Sequence, residues 1–558
     1  MEELDLHYIK PDPDFGIASE GVYINDEKEF VSRISKVKKT VTSINLNFQY
    51  ALKKVPSVLK ECEQLEKLNI SHTGITEIPE FVFTMPNLQN LSCCCSDLQK
   101  FPKDIFKAKK LKRLHIRINK DWTIPKEIPP MPELEILAID MYMPSALPDS
   151  LGNFKNLKQL LLAAKYTEGD VPALSPSLKN HPTLNELNYF DPFYKYRKNF
   201  DLDHAAKILS TCPSFEILKL SGFAVGKGHQ ALSKLKNLKT LELGHLLAEG
   251  NIFDSIADLE KLEIFGIWGS ELKITDIPDI FANKKELQEF SFAGNMVTEL
   301  PSSIYDLPKL RVLEIGSTGI YALNEKISGL QNLEKIHIYD SLLGNLPDAV
   351  FSLPHLKMLN IDENVFTKDV ILKIKQKLKI LEQKGQKIVF TYEGQGYRQM
   401  VKKLRVLYNN NSVSSEEYLK HCLNAINESP FAIKYVNASK IDGKLYAKLC
   451  MSAIRKDISA FSGISPEALG KQNYFIICME AAKSQEIGNI FKSINSSLLS
   501  DGEYLQVCVE AALHNRSNSF IAHFNTEEFQ KRYNREIYGH ICWVAALHNP
   551  RTASKIIR

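Results

Sequence analysis

Apolar side chains recur between residues 41 and 361 in one short phrase, leucine-x-x-leucine-x-leucine or a close variant, in which the x positions are mostly polar. Most successive copies start 23 residues apart. Clear copies begin at Leu65, Leu88, Leu111, Leu134, Leu157, Phe215, Leu238, Leu262, Leu287, Leu310, Leu333 and Leu356, and weaker ones at Val41 and Leu184. The alternation predicts a short strand in each copy with alternate side chains turned inward. The fixed period predicts that the units stack and share one continuous core.

A second signature follows the phrase in many units, namely an apolar residue and then proline, which turns the chain back and supplies the opposite wall of the core. It is found at Ile78-Pro79, Phe101-Pro102, Leu147-Pro148, Ile277-Pro278, Leu300-Pro301 and Leu346-Pro347. Together the two signatures resemble the leucine-rich-repeat family, in its 23-residue LPxxI class of bacterial type, over residues 41–366. The resemblance implies an α/β solenoid, a horseshoe with a parallel sheet. We call the sheet face turned away from the core the concave face.

The family's asparagine, nine positions into each unit, is kept only in part. Asn119, Asn295 and Asn364 retain it, whereas other units carry Thr73, Ser96 and Thr318 there. We therefore expect an interrupted asparagine ladder.

The repeat lengthens between Leu157 and Phe215, where steps of 27 and 31 residues replace 23. The added segment, NYFDPFYKYRKNF from Asn188, is rich in aromatic and basic residues. Insertions of this kind form loops at the rim of a solenoid and often carry binding, so Tyr194 and Tyr196 are candidate contacts. The alternative, that the rings only pack over a distorted unit, stays open. Residues 201–210 are predicted to form a helical return.

A second type of sequence repeat begins at residue 414. In it the pattern Y-x3-C-x2-A occurs five times, from Tyr418, Tyr446, Tyr474, Tyr504 and Tyr538. Spacings of four and three place the three side chains on one helical face, so we expect each cysteine to be a buried small residue between helices. The phrase AIKYV (432–436) resembles a poorly characterised group of short bacterial helical repeats, which implies an all-α solenoid and no activity. We predict an N-terminal cap (1–40), the leucine-rich-repeat solenoid (41–366), a C-terminal cap with helix, closing strand and linker (367–413), and an α-helical repeat domain (414–558).

Charge and apolar content exclude several classes of protein. The 70 basic and 66 acidic residues leave a net charge of +4, which gives no global attraction for nucleic acid. No apolar run approaches the roughly 18–20 residues that cross a bilayer, and the acidic, proline-broken first thirty residues do not form a conventional secretion signal. We expect a cytoplasmic protein, or one exported without such a signal. Its ten cysteines are expected to be reduced, because a chain this long is not a small disulfide scaffold.

Catalytic and metal motifs are not evident in the sequence. It has no phosphate-binding loop of the G-x4-G-K-[ST] type, no H-E-x-x-H and no G-x-S-x-G. The run Cys93-Cys94-Cys95 lacks the gaps of a zinc knuckle; we expect Cys93 in the core, Cys94 on the concave face, and no metal or cofactor. Some bacterial leucine-rich-repeat proteins carry a ubiquitin-ligase domain with a cysteine nucleophile in a C-x-D loop, but no C-terminal cysteine here has aspartate two residues on.

The outward positions of the predicted strands run from basic through apolar to acidic. They are Arg113, His115 and Arg117, then Ile136, Ala138, Leu161, Ile217, Lys219 and Trp268, and finally Glu289, Glu314, His337, Tyr339, Asp340 and Asp362. Such a face suits a protein or peptide partner of mixed charge. The candidate contacts are Arg113, His115, Arg117, Tyr194, Tyr196, Lys219, Trp268, Glu314 and Tyr339, with the alternative that these are only solvated strand residues.

The sequence therefore predicts a non-enzymatic scaffold that binds its ligand on the concave face and rim loop, with a second interaction surface on the helical repeats. The alternative is a bacterial effector enzyme, similar to a ubiquitin ligase, whose cysteine nucleophile lies in the C-terminal helical domain. Sequence leaves the partner and the oligomeric state open.

Overall fold

The computed structural model describes residues 2–4, 27–47, 49–50, 52–95, 97–118, 128–142, 147–165, 170–192, 198–269, 274, 276–294, 297–395, 399–407, 413–484 and 494–514. Within them, sixteen strands form one parallel sheet in which strand order follows chain order. The strands of this sheet and of a second, three-stranded sheet are numbered together along the chain. They are β1 (Glu2–Leu4), β2 (Val41–Asn45), β3 (Lys67–Asn69), β4 (Asn90–Cys93), β5 (Arg113–Ile118), β6 (Ile136–Met141), β7 (Gln159–Ala164), β8 (Glu186–Phe190), β9 (Lys198–Asn199), β10 (Ile217–Ser221), β11 (Phe223–Gly226), β12 (Thr240–Gly244), β13 (Leu247–Ala248), β14 (Ile264–Trp268), β15 (Glu289–Ala293), β16 (Val312–Gly316), β17 (Lys335–Tyr339), β18 (Met358–Asn360) and β19 (Val389–Thr391). Strands β9, β11 and β13 form a separate sheet of three.

Equivalent residues of successive repeats lie side by side, because the pairing keeps the repeat register. Leu218 of β10, for example, pairs with Leu187 of β8 and Leu241 of β12, and all three are fully buried. The inward leucines thus form rows through one continuous core. The predicted α/β leucine-rich-repeat solenoid is confirmed.

The return side of the repeats consists mainly of single turns of 3-10 helix. Many start directly after the apolar-proline pair, whose proline is the extended residue before the turn; Pro301, for instance, has φ −64° and ψ 150° and precedes the turn Ser302–Asp306. The remaining turns are Ser57–Glu61, Lys103–Lys107, Asp149–Asn153, Pro176–Leu178, Lys227–Lys234, Ile252–Ser255, Glu325–Gly329 and Asp348–Ser352. Two α-helices, α2 (Glu80–Phe83) and α3 (Leu202–Leu209), replace such a turn. Helix α3, capped by Asp201, is the predicted helical return.

The lengthened unit packs its rings inward in the part that the structure describes. Tyr189 is fully buried and meets Phe200 and Phe223 edge to face, with ring centroids 5.3 and 5.0 Å away. Asp191 and Lys198, which stand on either side of residues 193–197, form a buried ion pair of 2.6 Å. Lys198 therefore belongs to the core of this unit and not to its accessible basic surface.

The asparagine position behaves as predicted where it is described. Asn364 donates to the carbonyls of Ile338 and Ile361 at 2.6 and 3.0 Å. At the same place, the hydroxyl of Thr318 contacts the hydroxyl of Ser341 at 2.9 Å and accepts from the amide of Ile320 at 3.4 Å, so the asparagine ladder is interrupted there. Asn119, Asn295 and Ser96 lie outside the described residues.

Along the chain, an α-helix lies next to the first and the last strand of the large sheet. Helix α1 (Glu27–Val37) precedes β2. After β18 come α4 (Lys368–Gln383) and β19, which pairs with β18 and extends the sheet. This is the helix and closing strand that the sequence predicted.

The C-terminal part is helical and has its own hydrophobic core. Its helices are α5 (Gln399–Leu407), α6 (Ser415–Glu428), α7 (Gly443–Lys456), α8 (Pro466–Ala482) and α9 (Asp501–His514). The cysteines of the repeated pattern are fully buried, as predicted, at Cys422, Cys450, Cys478 and Cys508; the fifth copy, from Tyr538, lies outside the described residues. Among the described residues, no helix combines the length and apolar composition needed to span a bilayer.

The tyrosine of the pattern connects helices α6, α7 and α8 to the segments after them. The hydroxyl of Tyr418 accepts from the amide of Asn437 at 2.8 Å, and that of Tyr446 accepts from Ser465 at 2.9 Å. The apolar stretches between the helices are 3-10 turns such as Pro430–Tyr435 and Ile458–Gly463. Six residues are too few for a full second helix. The chain is held instead by the hydrogen bond to the tyrosine hydroxyl just after each turn and by buried apolar side chains of the turn, such as Ile433 and Phe461.

A lysine occupies one core position of the solenoid. Lys284 is fully buried, and its ammonium donates to the carbonyl of Ala257 at 2.8 Å. Burial lowers the pKa of Lys284 to about 8. Other repeats have leucine at the equivalent place, namely Leu307, Leu330 and Leu353.

We predict that Lys284→Leu stabilises the protein at pH 7 by about 1–3 kcal/mol, because a desolvated charge is replaced by an apolar side chain. Asn283 also donates to the Ala257 carbonyl, at 3.2 Å, so that acceptor stays paired. The lysine pKa of about 8 in the folded protein lies below its unfolded value of about 10.4. Between these values the unfolded state binds more protons, so wild-type stability rises with pH. Urea unfolding at pH 7 and 10 should show the advantage of the variant shrinking at the higher pH; an advantage independent of pH would contradict the assignment.

Candidate binding site on the concave face

The sequence-predicted contacts are distributed over the concave face of the large sheet. Arg113, His115 and Arg117 lie on β5, Lys219 on β10, Trp268 on β14, Glu314 on β16 and Tyr339 on β17. Tyr194 and Tyr196 fall outside the described residues. Nine strand spacings of about 4.8 Å separate β5 from β17, or roughly 43 Å along the sheet. The predicted residues therefore do not converge on one pocket, and only an extended ligand could touch both ends.

Trp268 lies flat on the concave face because glycines make room for it. It stands opposite Gly244 in the pairing of β12 with β14. A Cβ atom at Gly244 would lie 2.5 Å from the indole Nε1, and one at Gly266 would lie 3.2 Å from Cζ3. A larger residue at either place would displace the ring. The indole is thus held in place by its neighbours while part of it faces outward.

Tyr339 repeats this arrangement three strands along the sheet. It stands opposite Gly316 in the pairing of β16 with β17, and a Cβ atom at Gly316 would collide with its ring. Its hydroxyl donates to Glu314 at 3.3 Å. Burial, together with the charge of Glu314, raises the pKa of Tyr339 to about 12, so the phenol stays protonated and remains a donor at neutral pH.

These aromatic-glycine pairs were missed in the sequence although a signal exists. Gly244 and Gly316 end the phrases LELG and LEIG, at an outward position where the other repeats carry larger residues. Glycine weakens a strand interior and often marks close approach of another group.

The charges of the concave face are partly compensated within it. Lys219, predicted as a basic contact, forms an ion pair of 2.7 Å with Glu242 on the next strand. Arg113 at the early end and Glu289 at the late end are exposed. His337 has a buried Nε2 atom with no hydrogen-bond partner among the described residues. It lies between Glu314 and Asn360 in the strand register.

The early part of the face is more enclosed than the sequence suggested. Cys94 takes the outward position of its repeat but is fully buried, and Ala138 is only 7% exposed. The predicted outward positions are therefore confirmed, but the two side chains are not accessible. Arg117, on the same face, packs its guanidinium 3.4 Å from the ring centroid of Tyr142.

Asp140, on β6, is the centre of this enclosed region. His115 lies 3.2 Å from one of its carboxylate oxygens, and the ammonium of Lys165 lies 2.6 Å from the other. Burial would raise the pKa of Asp140, but the hydrogen bonds and charges of His115 and Lys165 together hold it below its ordinary value. The carboxylate is therefore ionised at neutral pH.

The thiols of the described residues are not activated. All nine are buried, and none of them forms a disulfide within the described part of the chain. Burial raises the pKa of Cys422, Cys450 and Cys478 to about 12. A cysteine nucleophile requires a thiolate in an accessible, electropositive setting, and these helical positions provide the opposite.

Comparison with known proteins supports the repeat assignment. The family described as BspA type leucine rich repeat region matches residues 38–125 in six copies. No curated protein matches. The fold is similar to that of a leucine-rich-repeat protein from Leptospira interrogans, at 22% identity over 62% of this chain and 96% of that one, with a TM-score of 0.38. It is also similar to an internalin from Listeria monocytogenes, at 16% identity over 64% and 83% of the two chains, with a TM-score of 0.35. The resemblance of the C-terminal helices to short bacterial helical repeats stays a prediction.

Proposed function

We propose that this protein is a non-enzymatic scaffold that binds a protein or peptide along the concave face of its leucine-rich repeats. Leucine-rich-repeat proteins are generally protein-interaction scaffolds. The observation that carries the proposal is the pair of aromatic rings, Trp268 and Tyr339, seated on glycines of the preceding strands. Tryptophan, tyrosine and arginine dominate interface energetics, and a side chain already held in its bound orientation loses little entropy on binding.

The size and charge of the face favour a macromolecular partner. Its candidate contacts extend over roughly 43 Å, beyond the reach of a small metabolite. Its early end carries Arg113, and its late end carries Glu289 and Glu314. A partner with an acidic and a basic end would match these charges in one orientation only, and such complementarity contributes specificity more than affinity. A nucleic acid, with uniform negative charge, would be repelled by the late end.

The proposal extends to regions that lie partly outside the described residues. Tyr194 and Tyr196 in the rim loop would contact the same partner, and the helical repeats would provide a second interaction surface. We retain the division into an N-terminal cap (1–40), solenoid (41–366), cap and linker (367–413) and helical repeats (414–558). A cytoplasmic location, or export without a conventional signal, fits the free thiols.

We predict that Trp268→Ala weakens ligand binding by about 2 kcal/mol, which is roughly thirtyfold in Kd. A peptide-display library would be panned on the full chain, and a retained peptide would be titrated against both proteins by calorimetry. Tyr321→Ala is the matched control, because Tyr321 is 58% exposed but follows β16 and lies outside any strand. Equal affinity for wild type and Trp268→Ala, with unchanged circular dichroism, would remove Trp268 from the site.

A further inference from the structure

Three potential metal ligands meet on the early concave face, where adjacent repeats bring them together. They are Cys94, directly after β4, His115 on β5 and Asp140 on β6. The Cys94 sulfur, a ring nitrogen of His115 and a carboxylate oxygen of Asp140 all lie within 4.8 Å of one another. Cys94 is 0% exposed and Asp140 6% exposed, so two of the three ligands are shielded from bulk water, and the His115 side chain, 33% exposed, faces the solvent side of the cluster.

The spacing of these atoms suits a tetrahedral ion. Zinc binds histidine nitrogen and carboxylate oxygen at about 2.0–2.2 Å, which places two such ligands roughly 3.3 Å apart at a tetrahedral angle. The Nε2 of His115 and the Oδ1 of Asp140 are 3.2 Å apart. A zinc ion could thus replace the hydrogen bond between them without moving either strand, and a rotation of the Cys94 side chain would bring the sulfur to its bonding distance of about 2.3 Å.

The surroundings resemble the outer shell of a metal site. Metal-bound carboxylates are usually hydrogen-bonded through their second oxygen, and Oδ2 of Asp140 accepts from Lys165 at 2.6 Å. The backbone amide of Cys94 donates to the Ser71 hydroxyl at 3.2 Å, which anchors the residue that carries the sulfur. A thiolate, a carboxylate and a neutral imidazole would cancel the two charges of zinc, and the one remaining charge would be that of Lys165, whose side chain is 23% exposed.

We propose that Cys94, His115 and Asp140 bind a zinc ion with water as the fourth ligand. The thiol proton of Cys94 is released to solvent as the sulfur binds the metal, and His115 binds in its neutral form. The ion joins three consecutive repeats and stabilises the early solenoid. This inference is independent of the proposed ligand-binding function.

The test uses the full chain, stripped of metal with a chelator and then titrated with Co²⁺ and Zn²⁺. Wild type should give tetrahedral cobalt absorption with a thiolate-to-cobalt charge-transfer band, both displaced by one equivalent of zinc. Cys94→Ser should abolish the charge-transfer band. His115→Ala should weaken metal affinity by more than the roughly 10–100-fold that loss of an outer-shell contact costs. His115 is 33% exposed on its side chain, so this variant should fold even if Cys94→Ser does not.

Cys95→Ser is the matched control, because Cys95 is a buried neighbour whose sulfur contacts Thr73 at 3.3 Å and does not belong to the cluster. The thiolate-to-cobalt charge-transfer band and the zinc affinity of Cys95→Ser should equal those of wild type. Absence of a tetrahedral cobalt spectrum in wild type would overturn the proposal. So would a charge-transfer band that survives in Cys94→Ser, or a metal affinity unchanged in folded His115→Ala.

Discussion

Phe290→Ala is expected to lower the free energy of unfolding by about 3–5 kcal/mol, the usual cost of deleting a buried ring. Phe290 is fully buried on β15. Its ring centroid lies 5.3 Å from that of Phe281, edge to face, and 5.9 Å from that of Phe265 on β14. The substitution removes contacts between consecutive repeats, since Phe265 and Phe281 both belong to the unit that starts at Leu262. Because each repeat of a solenoid is stabilised only by its neighbours, the cavity weakens the whole middle of the stack.

This result is measured by urea unfolding followed by tryptophan fluorescence, since Trp268 lies on the adjacent strand β14. Tyr321→Ala provides the comparison, because its half-exposed ring should cost less than about 1 kcal/mol. A loss below that level for Phe290→Ala would mean that β15 is not packed as described.

Lys198→Met is the second large effect, with an expected loss of about 3–5 kcal/mol, because it leaves a buried carboxylate without its cation. The Lys198 and Asp191 side chains are 1% and 0% exposed and 2.6 Å apart. Lys198 also donates to the carbonyl of Ala164 at 3.1 Å.

The double variant Asp191→Asn/Lys198→Met separates charge from packing. If the cost of the single variant comes from the unpaired carboxylate, removing both charges should restore at least half of the lost stability. Thermal and urea unfolding of Asp191→Asn, Lys198→Met and the double variant would be compared at one ionic strength. A double variant as unstable as the sum of the two single ones would contradict a role for the ion pair.

The rows of buried leucines are well predicted from the sequence, because the position of each inward leucine follows from the spacing within one repeat. Leu218, Leu241 and the buried cysteines Cys422 and Cys450 all lie where the spacing places them. The 3-10 turns between the C-terminal helices were not predicted, because a short apolar stretch fits either conformation. Comparison of the repeats shows Lys284 at a position where others have leucine. The sequence does not indicate which acceptor its ammonium contacts.

The concave face was less predictable, since its contacts join residues from different repeats. Trp268 and Gly244 are neighbours only because β12 and β14 pair in register. Cys94, His115 and Asp140 form no linear motif, being separated by 21 and 25 residues. Superposing the repeats puts Cys94 and Asp140 at the same place and His115 two residues earlier, so the cluster could have been found by reading columns across the repeats instead of along the chain.

Hydroxyl-radical footprinting of the full chain, with and without a peptide selected on it, tests the central claim most directly. This method reports solvent access to side chains, which matters here because the strand amides are already hydrogen-bonded in the sheet. Our account predicts that oxidation of Trp268, His337 and Tyr339 falls when the peptide binds, while that of Tyr321 is unchanged. Protection confined to Tyr321 and the helical repeats, with the concave residues oxidised as before, would contradict it.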